Sequence, residues 1–198
     1  MKKGLLIALA VLGGLIVLWL VMFGGVYNGL VQREEGVTSA WAQVQNVYQR
    51  RLDLIPNLVE TVKGYASHEQ ETLLGVTEAR AKVSQMKISS EMLSDPEQLK
   101  VFQASQGQLS SALSRLMVVA ERYPDLKASQ NFLALQNQLE GTENRITVER
   151  NRFNQAAQEF NVFRRKFPNI LIANVTGFEK KAYFEADQAA SQAPQVKF

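Results

Sequence analysis

The chain has no cysteine and a single histidine, His68, in its 198 residues. Without cysteine there is no disulfide framework, no thiol nucleophile and no thiolate-bound zinc or iron–sulfur centre. A lipoprotein-type lipid attachment is also excluded. One histidine removes multi-histidine metal sites and most Ser-His-Asp arrangements within one chain. Charge is missing from one long stretch, because no charged residue occurs between Gly4 and Gln32. The net charge of +3 misleads, since setting aside Lys2 and Lys3 leaves 20 basic against 19 acidic residues. A strongly cationic, nucleic-acid-binding surface is therefore not expected. This composition argues against a conventional hydrolase or metalloenzyme; we expect no enzyme and no cofactor.

What the chain does have begins with an apolar run, Leu5 to Val26, reading LLIALAVLGGLIVLWLVMFGGV. As a helix these 22 residues would extend about 33 Å, enough for the hydrocarbon core of a bilayer. A cleavable signal would have a shorter apolar core of about 7–15 residues and a small-residue cleavage site. Val26-Tyr27-Asn28-Gly29 offers no such site. Trp19 and Tyr27 sit toward the far end, where aromatic rings favour the interface. Lys2 and Lys3 before the run leave the N-terminus in the cytoplasm by the positive-inside rule. The remainder is then periplasmic or extracellular, and the protein is a single-pass protein of the bacterial inner membrane. The expected organisation is an anchor over 1–32, a helical bundle over 33–188 and an extended tail over 189–198.

After Arg33 the periodicity is helical. Val37, Trp41, Val44, Tyr48, Ile55, Leu58, Val62 and Tyr65 follow heptad-like steps, the spacing that lets long helices pack along their length. Pro56 should kink this helix without ending it, and the apolar pattern continues through Leu73, Val76, Ala79 and Val83. Ser89 to Pro96 reads as a loop, closed by Ser94 or Asp95 as a helix cap with Pro96 in the first turn. A second seam runs through Leu99, Phe102, Leu109, Leu113, Leu116, Ala120 and Tyr123, and Tyr123-Pro124-Asp125 ends it. A third runs through Phe132, Leu135, Leu139, Ile146, Phe153, Ala156, Phe160, Phe163 and Phe167, and stops at Pro168. A weaker helix is expected over 169–188. No segment alternates with period two, so no sheet is expected. The fold class is all-α: one transmembrane helix followed by an elongated antiparallel bundle of three long helices and one short one.

Several blocks together carry a family resemblance. Tyr48 to Glu69 reads YQRRLDLIPNLVETVKGYASHE, Leu139 to Asn154 reads LEGTENRITVERNRFN, and Asn161 to Pro168 reads NVFRRKFP. With Ala40-Trp41, the apolar N-terminus and the closing APQVKF, the chain closely resembles the bacterial LemA family over nearly its full length. The resemblance implies a helical bundle behind one transmembrane segment. It also implies two functional leads. Relatives in magnetosome-forming bacteria are associated with internal membranes, and the family often neighbours a membrane zinc metalloprotease.

The densest polar block is Glu143 to Asn154. Glu143 and Arg150 share a helix face, as do Asn144 and Asn151, whereas the carboxylates of Glu143 and Glu149 do not. The block reads best as an interhelical network with Arg50, Arg51 and Asp53 of the first helix. His68, with Glu69 and Glu71, reads as a solvated helix residue. Arg164-Arg165-Lys166 and Lys180-Lys181 form a basic cluster suited to anionic lipid head groups or an acidic partner. Phe153, Phe160, Phe163 and Phe167 read as core, while Phe178, Phe184 and Phe198 lack a seam.

At roughly 50 residues the first soluble helix would reach about 75 Å, some 15 Å more than the third can cover. That would leave Trp41, Val44 and Tyr48 bare beside the membrane. Asn and Gln number 29, and neutral amide faces can approach a copy of themselves without repulsion. The expected interaction residues are therefore Trp41, Val44, Tyr48, Arg164, Arg165, Lys166, Phe178, Phe184 and Phe198. The expected partners are the bilayer and further copies of the chain, with a membrane protease possible. The expected function is a self-assembling scaffold that organises or remodels the membrane. The alternative is an adaptor for a membrane metalloprotease or other envelope complex.

Overall fold

A computed structural model of the chain describes residues 2–86 and 89–185. Among these residues all regular structure is helical, with no strand. The first element, α1, is a single helix over Lys2–Tyr65, 64 residues long, and it passes through Pro56. Nothing interrupts it between the apolar run and the soluble seam, because Gly29 and Gly36 lower helix propensity by only about 1 kcal/mol each. Its length is about 96 Å.

The seam does not continue in α1 to Val83. Ala66–Glu69 form a turn, and α2 over Gln70–Ser84 folds back along α1. The Arg80 guanidinium donates to the Leu52 carbonyl at 3.0 Å across that pair. His68 thus stands exposed in a turn, not on a helix. A 3-10 turn at Ser90–Ser94 leads into α3, Pro96–Ala120. As expected, Asp95 caps α3, its carboxylate accepting from the amides of Glu97 at 2.9 Å and Gln98 at 3.1 Å. Pro96 occupies the first turn, where its missing N–H costs nothing. A short α4, Pro124–Lys127, precedes α5 over Gln130–Arg165. After a cis Phe167–Pro168 bond, α6 covers Asn169–Thr176.

The expected helix to residue 188 ends much earlier. Gly177 takes a left-handed φ of 79°, a conformation that costs a side-chain-bearing residue about 1–2 kcal/mol. Beyond it, residues 178–185 run as irregular, extended chain.

α1 and α5 pack antiparallel. Gly29 meets Phe163 near the apolar run, and Arg51 meets Glu143 farther along. Two hydrophobic clusters fill the interior. The one nearer the apolar run joins Leu30, Trp41 and Tyr48 of α1 to Phe102, Phe153, Phe160, Ile172 and Phe184. The distal one joins Leu52, Ile55, Leu58 and Val62 to Val76, Leu109, Leu116, Leu126 and Phe132. The heptad residues Trp41, Val44, Tyr48, Ile55, Leu58 and Val62 are all buried. Tyr65 is 48% exposed, and Ala66 fills its place.

Candidate functional site: the C-terminal strap and the base of the bundle

Residues 178–185 form a strap laid across α5, α3 and the 3-10 turn, held by side chains that replace the missing strand partners. The Asn161 side-chain amide donates to the Lys181 carbonyl at 2.8 Å, and its oxygen accepts the Lys181 N–H at 2.9 Å. Two turns earlier Asn154 does the same to Phe184, at 3.0 and 2.8 Å. Gln103 of α3 repeats the pattern on Glu185, at 2.8 and 3.3 Å. Arg164 donates to the Phe178 carbonyl at 2.6 Å, and the Ala182 N–H donates to the Leu93 carbonyl at 2.7 Å. An amide side chain carries both an N–H donor group and a carbonyl acceptor, so it can match both groups of a backbone residue at once.

These clamps press Phe184 into an aromatic nest. Its ring centroid lies 6.0 Å from Trp41 and 5.5 Å from Phe153, and Trp41 lies 5.9 Å from Phe102. Lys181 is nearly buried, with Nζ 2.6 Å from the Glu34 carboxylate and over the Phe160 ring. The strap thereby ties the end of the described chain to α1.

The interaction residues expected from sequence fare differently. Trp41, Val44 and Tyr48 are not bare; they are 2%, 0% and 3% exposed within one chain. The reason is length: α1 beyond Gly29 and the 36-residue α5 are nearly matched, and α6 and the strap cover the base. Phe178 and Phe184, expected to seek a neighbour, are buried under their own strap. Phe167, expected in the core, is 82% exposed, because α5 ends at Arg165 before its register reaches Phe167. Arg164 is half-buried on the strap, while Arg165 and Lys166 are exposed. Phe198 lies outside the described residues.

The polar network expected around Glu143 forms in part. Arg51 is 1% exposed and donates to Glu143 at 2.8 Å, to Ser110 at 3.0 Å and to Gln106. It lies between the two hydrophobic clusters. Arg50 and Asp53 point to solvent and take no part, nor do Asn144 and Asn151. Above Arg51 a cleft of about 650 Å³ opens between α3 and α5, bordered by Gln103, Arg115 and Arg150. Among the described residues no three of His, Asp and Glu converge as a metal would require.

Sequence reasoning missed Asn154, Asn161 and Gln103. A signal existed for two of them: Asn154 and Asn161 are seven apart and follow Phe153 and Phe160 by one residue each, so both flank the buried stripe.

At the base, Trp19, Phe23 and Tyr27 of α1 line up, with centroids 5.2 and 6.4 Å apart, and Tyr27 meets Phe178 at 5.7 Å. Gly29 is needed here, since a Cβ would stand 2.7 Å from Cζ of Phe163. Arg33 stacks over the same ring at 3.9 Å.

A chain whose regular structure, among the described residues, is all helical, and whose leading helix carries an unburied stretch long and apolar enough to cross a bilayer, fits the class of membrane-associated helical proteins. The chain belongs to the LemA family, which matches residues 40–198. It is 26% identical over 179 residues to magnetosome protein MamQ of Magnetospirillum gryphiswaldense, covering 82% of this chain and 66% of that protein. A MamQ protein of Paramagnetospirillum magneticum matches with the same identity and coverage. Protein LemA of Metamycoplasma hominis is 26% identical over 167 residues, covering 84% of this chain and 72% of that one. The chain thus spans just under two thirds of the length of the magnetosome relatives it matches.

Proposed function

We propose that this protein is a membrane-anchored structural protein whose elongated antiparallel bundle, carried on residues 1–32 as a single-pass anchor, organises or remodels the bacterial membrane in many copies. The working bundle begins at residue 33, and the tail expected over 189–198 lies outside the described residues. The N-terminus faces the cytoplasm, and the bundle lies outside the inner membrane. The observation that carries this reading is the unbroken α1, Lys2–Tyr65. A shared helix joins the bundle to the span with no intervening loop, so bundle contacts between copies would bear on the bilayer through α1. The similarity to proteins named for the magnetosome supports the same reading.

Two measurements test it. Full-length protein reconstituted in vesicles should change vesicle shape, seen by electron microscopy, and cross-linking in membranes should give species above the monomer. Unchanged vesicles together with a purely monomeric chain overturn it.

The alternative is an adaptor for a membrane metalloprotease or another envelope complex. It draws support from the cleft above Arg51, which opens sideways between α3 and α5 midway along the bundle. A monomer that co-purifies with such a protease favours it.

A further inference from the structure

The short helix α6 lies alongside the last turns of the apolar run. Phe23 and Val26 pack on the same cluster as Ile172, Ala173 and Phe178. Its inner face is spent on that packing: Asn169, Ile172 and Ala173 are buried. The opposite face is also apolar. Leu171 and Val175, one turn apart on it, are 57% and 84% exposed, and Phe167, in the turn just before α6, is 82% exposed. An apolar stripe of this kind on a soluble surface marks a contact. Arg165, Lys166 and Lys180 flank the stripe and are exposed. Between residues 160 and 180 the sole acidic residue is Glu179.

We propose that this face is a second membrane contact, in which Phe167, Leu171 and Val175 insert into the bilayer interface while Arg165, Lys166 and Lys180 meet anionic lipid head groups. The inference rests on α1 crossing the bilayer. Depth argues for lipid as the occupant. α6 packs beside Phe23–Leu30, which are part of the uncharged run, so its outer face stands at the level of the head groups when Leu5–Val26 spans. Charge argues for anionic lipid, since the basic flank lies within a Debye length of that surface.

The absence of cysteine makes the test clean, because one introduced thiol carries the only label. Full-length V175C, V118C and L12C are each spin-labelled and reconstituted in phosphatidylcholine vesicles with and without phosphatidylglycerol. Collision with oxygen, which concentrates in lipid, is compared with collision with a water-soluble nickel complex. The oxygen-to-nickel ratio at V175C should exceed that at V118C several-fold. It should fall when phosphatidylglycerol is omitted or when R165E/K166E is added, with the circular dichroism spectrum unchanged. A V175C ratio equal to that of V118C, while L12C reads lipid, overturns the second contact and leaves the anchor standing. A V175C label shielded from both reagents assigns the stripe to a protein neighbour and overturns the lipid occupant. A ratio indifferent to phosphatidylglycerol overturns the head-group contact. L12C in water overturns the anchor and this inference together.

Discussion

Asn154 and Asn161 stand two helical turns apart on α5, and each satisfies the N–H and carbonyl of one residue in an extended chain. A hydrogen bond of this kind contributes about 1 kcal/mol net. Asn161→Ala should therefore cost about 1–2 kcal/mol in urea unfolding and speed amide exchange at Lys181. Asn144→Ala, an exposed residue on the same helix, should stay within about 0.5 kcal/mol. Equal effects at both positions would deny the clamp. Arg51 poses the opposite problem, a charge buried at 1% exposure. Glu143 is its ionic partner, with a side chain 40% exposed. Glu143→Ala leaves the guanidinium with neutral partners alone. Breaking a fully buried pair costs about 3–5 kcal/mol, and partial exposure of the carboxylate reduces this to about 2–3. A melting temperature unmoved by the substitution would show that Arg51 is held by Gln106 and Ser110 alone.

Among the elements, the long helices were legible in advance because burial repeats along them with a period that sequence displays. Ile55, at 1% exposure, lies at the middle of the distal cluster. Ile55→Asp should abolish cooperative melting, since an unpaired carboxylate there has no donor; an unchanged melt would refute the seam. The start of α3 was legible as well, through Asp95 and Pro96. The amide of Gln98, then its side chain, hold the Asp95 carboxyl below the ordinary aspartate range, with a smaller contribution from the Glu97 amide, against a modest opposing effect of burial. Because its folded-state value is lowered, the cap stabilises α3 fully above the unfolded aspartate's titration and loses that contribution as pH falls through the folded value. Asp95→Asn should flatten the acid limb of α3 unfolding below about pH 4, read by helical circular dichroism. The strap was not legible. An extended segment held by side-chain amides has no period of its own, and its partners lie some 20–80 residues away. The same blindness exchanged the phenylalanines. Spacing assigned Phe167 to the core and left Phe178 and Phe184 out, because the helix was expected to continue where Gly177 turns the chain back.

At the scale of the whole molecule the apolar run, α6 and the strap gather at one end, and the cleft above Arg51 opens at mid-length, beside the strap residue Glu185. The expected bare seam, which motivated self-assembly, is covered by the chain's own C-terminal residues. Assembly must then use other surfaces, and cross-linking in membranes reads whether it does. Topology can be checked independently. Ser129 lies at the entry to α5, far from the span. A single cysteine there, S129C, should react with a membrane-impermeant thiol reagent in cells whose outer barrier has been opened. Labelling only after lysis would reverse the orientation inferred from Lys2 and Lys3.

The unbroken α1 also makes the protein a lever. From Met22 to Tyr65 the helix extends about 64 Å. A change of about 10° in the tilt of the span, of the size bilayers impose when their thickness changes, swings the tip at Tyr65 sideways by about 11 Å. With Leu5–Val26 spanning as proposed, a difference in hydrocarbon thickness of a few ångströms would become a displacement comparable to a helix diameter, far from the lipid that caused it.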